Sequence, residues 1–306
     1  MTGYALRRLG FSAFVLWGAL TIVFVTVRVV PGDPALLILG ADASPQQLSE
    51  LRERFGLNQP LAVQYVDYLA HAVRLDFGSS VRLDSPAMQE VLNRLPATSQ
   101  LAAISMLTAL ILSFPLGIAA ALRHHSALDG SISLVSLMGQ ATPNFWLGIM
   151  FILLFARALR WLPSGGSGGW QNIVLPALTL ALPLVGILTR LIRSGLLDTL
   201  AEDYIRTGRA KGLHPGSVLT RHALPNMLIP VITVVGLQLG QLLGGAVIVE
   251  TVFSWPGVGR LLVDAISNRD YPLVQAAILL ITTGFVLINL LVDLSYGYLD
   301  PRIRLQ

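Results

Sequence analysis

The chain has 306 residues, 54% of them hydrophobic and 12% charged, against about 25% charged in an ordinary soluble domain. With a positive mean hydropathy, that excludes a water-soluble globule and makes lipid the main solvent. Cysteine is absent, which excludes disulfides, thiolate metal sites and cysteine nucleophiles. The net charge is a modest +4, and its distribution matters more than its sum, because basic residues orient membrane helices.

A membrane span needs roughly 20 mainly apolar residues to cross about 30 Å of hydrocarbon. The first is 9–30, behind Arg7 and Arg8. It is longer than the apolar core of a signal peptide and no small-residue cleavage site follows it, so it reads as a retained span. Residues 31–98 are too polar to span and carry three helix signals. Ser44-Pro45-Gln46-Gln47 offers a capping serine, a proline at the first helical position and a glutamine three residues on. Leu61, Tyr65, Tyr68, Leu69 and Ala72 then recur at helical spacing. Ser85-Pro86 opens a third stretch that ends near Leu95-Pro96. This segment reads as a small outer helical subdomain, either a structural cover or a docking surface for an outer partner.

The second span is 99–122, followed by the adjacent His124 and His125, which read as a solvated loop. The third, 132–156, contains Gln140, Pro143 and Asn144. Residues 164–169, Ser-Gly-Gly-Ser-Gly-Gly, read as a flexible outer connection. The fourth span, 173–193, holds Pro176 and Pro183. Such breakers survive in a membrane only where neighbours or a cavity satisfy the freed backbone groups.

The loop 194–226 carries the strongest local signal. Thr199-Leu200-Ala201-Glu202 has the form of a capping box. Helix-compatible residues continue to Lys211, Gly212 suits a C-terminal stop, and Pro215 prevents continuation. A helix of about three turns then places Arg206, Arg209 and Lys211 near its C-terminus, where the helix dipole favours cations. Spacing alone admits both a basic helix on anionic lipid and a helix docked into a cytoplasmic partner. The fifth span, 227–249, carries Gly236, Gly240 and Gly244 on one face, a small-xxx-small pattern for close helix approach. Gln238 and Gln241 lie on another face. With Gln140 and Asn144, they suit interhelical hydrogen bonding or the wall of a water-filled translocation path. The sixth span is 273–293, with Asp293 near its inner end, read as facing headgroups or pairing with an arginine.

With a cytoplasmic N-terminus, eleven basic residues fall on inner segments: Arg7, Arg8, Arg123, Arg190, Arg193, Arg206, Arg209, Lys211, Arg221, Arg302 and Arg304. Only Arg157, Arg160, Arg260 and Arg269 fall on the short outer ones, so both termini are placed inside. Lys211 is the only lysine and Gly212 follows it, so the chain holds no G-x-x-x-x-G-K-[ST] phosphate loop. An ATP-driven process would need another subunit to bind the nucleotide. No H-E-x-x-H occurs, and no nucleophile or acid–base pair stands out within the spans. The organisation read from this is 1–30, N-terminus and first span; 31–98, the outer subdomain; and 99–306, a five-span core with the inner loop 194–226.

These residues resemble the permease subunits of the dipeptide/oligopeptide/nickel class of ABC importers, over essentially the whole length. The resemblance rests on Pro31-Gly32-Asp33-Pro34, Asp76-Phe77-Gly78-Ser79-Ser80, Leu95-Pro96-Ala97-Thr98, Pro143-Asn144-Phe145-Trp146 and 204–213 from Tyr204 to Leu213. It continues through 253–260 from Phe253 to Arg260, Asn268-Arg269-Asp270-Tyr271-Pro272 and Asp300-Pro301-Arg302-Ile303-Arg304. The wider family pattern is E-A-A-x-x-x-G, nine residues, then I-x-L-P. Gly212 takes the glycine place and Leu224-Pro225 the final pair, while Arg206, Thr207 and Gly208 replace the Glu and alanines and His222 the isoleucine.

The resemblance implies an all-α integral membrane fold of the type I importer permease kind: six transmembrane helices in the bacterial inner membrane, both termini cytoplasmic. It implies an ATPase-coupling loop around Thr199, Glu202, Tyr204, Arg206, Thr207, Gly208, Arg209, Lys211, Gly212, Leu224 and Pro225. An outer gate facing the binding protein would include Trp255, Pro256, Gly257 and Arg260. The expected partners are a second homologous permease, two cytoplasmic ATPases and a periplasmic or lipid-anchored substrate-binding protein, with no nucleic acid. ATP and Mg would sit in the ATPases and no cofactor or metal on this chain. The cargo would be peptides (di-/oligopeptides or glutathione-like) or nickel and metal chelates, with peptides preferred. The alternatives are a stand-alone secondary transporter, which should carry ion-coupling residues in its spans and often repeat symmetry, and a membrane-embedded hydrolase.

Single cysteines at Ser44 and Ser167 are expected to label from outside with an impermeant thiol reagent, and one at Ser217 is not. Labelling of position 217 from outside intact cells would overturn the orientation.

Overall fold

A computed structural model describes residues 2–29, 44–54 and 58–299. The motifs at Pro31–Pro34 and Asp300–Arg304 lie outside the described residues. Helix is the only extended regular structure among those described. The helices are α1 (Thr2–Val29), α2 (Pro45–Arg54), α3 (Leu61–Val73), α4 (Ala87–Leu122), α5 (Ala127–Ala141), α6 (Asn144–Phe151), α7 (Gln171–Ala201), α8 (Asp203–Ala210), α9 (Leu224–Val252), α10 (Val258–Ser267) and α11 (Tyr271–Leu299). Among the described residues five helices are long and apolar enough to cross a membrane, and six spans result if the bent pair α5–α6 counts as one.

The expected capping box before α2 is present: the Gln47 N–H donates to Ser44 Oγ at 3.2 Å and the Ser44 N–H to Gln47 Oε1 at 3.0 Å. The expected stop at Leu95-Pro96 is absent, and α4 runs unbroken through Pro96 into the second span. Proline removes one backbone bond, here the one to Leu92. Leu92 is exposed, and the neighbouring turns are held by packing of Val91 and Leu95.

The third span is not one helix. It breaks at Thr142-Pro143, where α5 and α6 bend by 102°. A residue before proline is driven out of the helical region, and Thr142 is extended at φ −85 ψ 127. Its N–H and its hydroxyl both return to the Met138 carbonyl, at 3.1 and 2.7 Å. The wider π-helical turns of Ile152–Ala158 then continue α6.

The chain groups into two compact units that are not consecutive in sequence. One comprises Thr2–Thr98 and Pro256–Val286, the other Ser99–Trp255 and Leu287–Gln306 with Met1. In the first, residues of the expected outer subdomain share a core with α10 and α11: Tyr68, Phe77 and Val91 pack with Val258, Leu261 and Leu273. Burial pushes the Tyr68 phenol up to about 12, against the pull of the Arg28 guanidinium. Buried hydrogen bonds join distant motifs. Ser80 Oγ donates to Asp270 Oδ2 at 2.5 Å, and the Val258 N–H donates to Thr98 Oγ1 at 2.9 Å. Thr98 thereby satisfies one of the free N–H groups with which α10 begins.

In the second unit, α7 is the central helix, packed by α5, α6 and α9. Helices approach closely where glycine allows it: a Cβ on Gly186 would lie 2.2 Å from the Ser136 carbonyl oxygen, and one on Gly236 would lie 2.3 Å from the Val292 side chain. Of the expected glycine face on α9, Gly236 and Gly240 are buried, whereas Gly244 is exposed beside open space. The Ser-Gly-Gly segment, expected to be a flexible connection, is instead pinned. The Gly166 N–H donates to the Phe253 carbonyl at 2.9 Å, and Asn172 Nδ2 donates to the Gly165 carbonyl at 2.6 Å. Glycine is needed there because a Cβ on Gly165 would sit 2.0 Å from Phe253 O.

Gly165→Ala is therefore expected to cost about 1–3 kcal/mol through overpacking, whereas Gly168→Ala, whose Cβ would lie 3.9 Å from Asn172 Oδ1, is expected to be neutral. Thermal unfolding of the detergent-solubilised chain, followed by size-exclusion recovery, checks both.

Candidate functional site

The loop after α7 differs from the expected capping box in a way that defines the site. Thr199 is not an N-cap. It lies inside α7, and its hydroxyl donates back to the Gly195 carbonyl at 2.7 Å. Glu202 makes no side-chain cap. Its extended backbone, φ −66 ψ 146, ends α7 and starts α8. The Glu202 carbonyl accepts from the Ile205 N–H at 3.1 Å, which begins the new helix. The physical reason is local competition: a threonine hydroxyl can bond its own helix four residues back as readily as it can cap. The helix is thus 203–210, shorter than expected.

The C-terminal stop is as expected. Gly212 is left-handed at φ +79. The Gly212 N–H donates to Arg209 O at 3.0 Å and the Leu213 N–H to Gly208 O at 3.3 Å, the paired closure of a Schellman motif. Gly208 thus sits in the last turn, over the Leu213 side chain, rather than in mid-helix. Only Ile205 anchors α8: it is buried, while Tyr204, Arg206, Thr207, Arg209 and Lys211 are exposed. The Arg206–Asp203 pair at 3.4 Å is fully solvated and stabilises little. Tyr204 Oη accepts from Asn226 Nδ2 at 3.1 Å, which links α8 to the start of α9 just past Leu224 and Pro225. A short, largely uncovered helix results, with its cationic groups exposed to solvent.

The polar residues expected along a path are only partly brought together. Gln140 and Asn144 flank the α5–α6 break, and Gln140 Oε1 accepts from Arg190 Nη2 at 2.5 Å. Gln238 is half-buried and Gln241 exposed on α9. Among the described residues, no hydrogen bond joins these two to Gln140 or Asn144. Asp293 is half-buried. On the expected outer gate, Trp255 and Gly257 are buried, while Pro256 and Arg260 keep surface. Arg260 stands 3.8 Å from Asp264 one turn on.

Two residues were not singled out from sequence. Asp129 is bound in two-pronged fashion by Arg193, Nε to Oδ1 at 2.5 Å and Nη2 to Oδ2 at 2.7 Å. It also accepts the His125 N–H at 3.1 Å, and Ser126 caps the same helix. The spacing Ser-x-x-Asp was the available signal. Glu250 is fully buried near the outer end of α9, one residue past the limit read for the fifth span.

Long apolar helices and a broken span define a multi-pass membrane protein rather than a soluble domain. The chain belongs to the family of binding-protein-dependent transport system inner membrane components, whose profile matches residues 113–305. The profile for the N-terminal part of such components matches residues 1–102. The chain is 42% identical to the dipeptide transport system permease protein DppB of Alkalihalophilus pseudofirmus, over 99% of this chain and 100% of that one. It is also 42% identical to the glutathione transport system permease protein GsiC of Salmonella choleraesuis, over 99% of each. The fold resembles a chain of the MetNI methionine ABC transporter in inward-facing conformations, with a TM-score of 0.57, 16% identity, and coverage of 70% of this chain and 97% of that chain. The expected ABC importer permease class and multi-pass inner-membrane location therefore hold.

Gly208→Ala should add helix propensity worth about 1 kcal/mol, because its Cβ would meet Leu213 Cδ1 at an ordinary 3.5 Å. Gly212→Val should strain the left-handed turn. Amide exchange across 203–211 is expected to slow about fivefold in the first variant and to quicken in the second.

Proposed function

We infer that this chain is one membrane half of an ATP-driven importer of short peptides. The observation that carries the reading is α8, a helix with one buried anchor and an otherwise open, basic surface on a loop assigned to the cytoplasmic side. It suits a helix seated in a cleft of a partner ATPase, through which nucleotide-driven closure reaches α7 and α9. Since the chain has no phosphate loop, ATP and Mg belong to two such ATPase subunits. A second, homologous permease completes the path, and a periplasmic or lipid-anchored binding protein delivers cargo from outside. The relatives named for dipeptide and glutathione transport support peptides over nickel chelates. Family membership weighs against a stand-alone secondary transporter. No role of this chain in covalent chemistry is needed: it supplies the path and the mechanical link.

Reconstitution with its ATPases, sister permease and binding protein is expected to give peptide uptake that needs ATP. Ile205→Asp removes an apolar anchor worth about 1.5–3 kcal/mol, and Arg206→Glu reverses a largely exposed charge whose one ion pair, to Asp203, is solvated and stabilises little. Both are expected to lower uptake and cargo-stimulated ATP hydrolysis, with the complex still eluting intact for Arg206→Glu. Wild-type uptake and hydrolysis in both variants, or uptake without ATP, would overturn the reading.

A further inference from the structure

The α7 helix is the most enclosed of the long helices. Between its ends, only Arg190, Ser194 and Asp198 are exposed. They recur every four residues and so form one stripe along the helix. All three are polar. The exposed face of α1, by contrast, is Phe11, Phe14, Trp17, Ile22 and Val25, the composition of a surface covered by lipid. Arg190 stands at the inner end of the fourth span, where a charge facing hydrocarbon is costly and a position facing water is favoured, and Ser194 and Asp198 continue the same stripe into the inner loop.

The two neighbouring arginines of α7 are treated differently. Arg193 is neutralised by the bidentate bond to Asp129. Arg190, one turn earlier, bonds to the neutral Gln140 side chain, and no carboxylate pairs with it among the described residues. Gln140 stands at the α5–α6 break and fixes the guanidinium there without consuming its charge. The remaining N–H donors of Arg190 form a planar fork suited to a carboxylate. Asp198 lies two turns nearer the inner end, about 12 Å along the helix.

We propose that Arg190, oriented by Gln140, is a station on the inner half of the translocation path that receives the carboxylate of a passing peptide. The proposal rests on the peptide-importer reading and deepens it. The acid at Asp198, further along the same stripe, presents the opposite charge to the ammonium end of a zwitterionic cargo. A cation followed by an anion along one wall favours short zwitterions over neutral solutes and keeps either end from binding too tightly to leave.

Two measurements test this in the assembled complex. In the first, Gln140→Cys is introduced into this cysteine-free chain and labelled with anionic sulfonatoethyl and cationic trimethylammonioethyl methanethiosulfonates, with modification of this chain read by mass spectrometry. The anionic reagent is expected to react faster, and the ratio should fall several-fold when Arg190→Gln is added. No reaction with either reagent at both 140 and a second site, Ser194→Cys, or a ratio unmoved by Arg190→Gln, would overturn the proposal. In the second, uptake of a dipeptide and its C-terminal amide is compared in proteoliposomes with the same binding protein. Arg190→Gln is expected to cut the preference for the free carboxylate about tenfold, the size of one lost charged hydrogen bond, and Arg190→Lys to restore part of it. An unchanged preference would refute the carboxylate role. Failure of the wild-type complex to take up any peptide would refute the peptide reading instead, and the labelling ratio would still decide whether Arg190 faces water.

Discussion

A bilayer interior offers no water to take up a free backbone N–H or C=O, and everything else in this chain is arranged around that fact. The long stretches are helical because only a helix satisfies its own backbone within one segment. Where the sequence forces an interruption, local groups step in. At Thr142-Pro143 a hydroxyl and an N–H converge on one carbonyl, and beyond it the wider turns of Ile152–Ala158 keep the helix continuous. The break is thus confined to two residues and leaves Gln140 and Asn144 on either side of a sharp bend.

The same economy governs the ends of helices. The first N–H groups of α10 and α11 are met by side chains, one from Thr98 far away in sequence and one from Asp270, which is itself held by Ser80. Motifs that look independent along the chain are therefore single structural joints. In the other unit, Asp129 gathers Arg193 and the backbone of His125 at the start of α5. That joint fixes α5 against the part of α7 that leads into α8.

The functional reading follows from what is left uncovered. The α8 helix has one buried side chain and a sealed C-terminus, so it is short and stiff and free to be held by something else. The α7 helix is enclosed except for a polar stripe. These two exposures differ in kind: one is the open surface of a short connecting helix, the other a polar line on an otherwise enclosed one.

The sequence alone determined what depends on short-range composition. Apolar length marked the spans, proline marked the break in the third, Ser44 and Gln47 marked one helix start, and Gly212 marked a left-handed stop. Each of these is decided within a few residues, by hydropathy, by the rigid proline ring or by the missing Cβ of glycine. The tertiary structure decided whatever depends on a distant neighbour. Whether Thr199 caps or continues a helix, whether Pro96 ends α4, and whether the glycines at 165–166 are loose or pinned to Phe253 all turn on packing that no local pattern encodes. The Ser80–Asp270 bond spans 190 residues and the Arg190–Gln140 contact spans 50. Such pairs form because helices with matched polar groups are brought to hydrogen-bonding distance, and only the folded backbone supplies that distance.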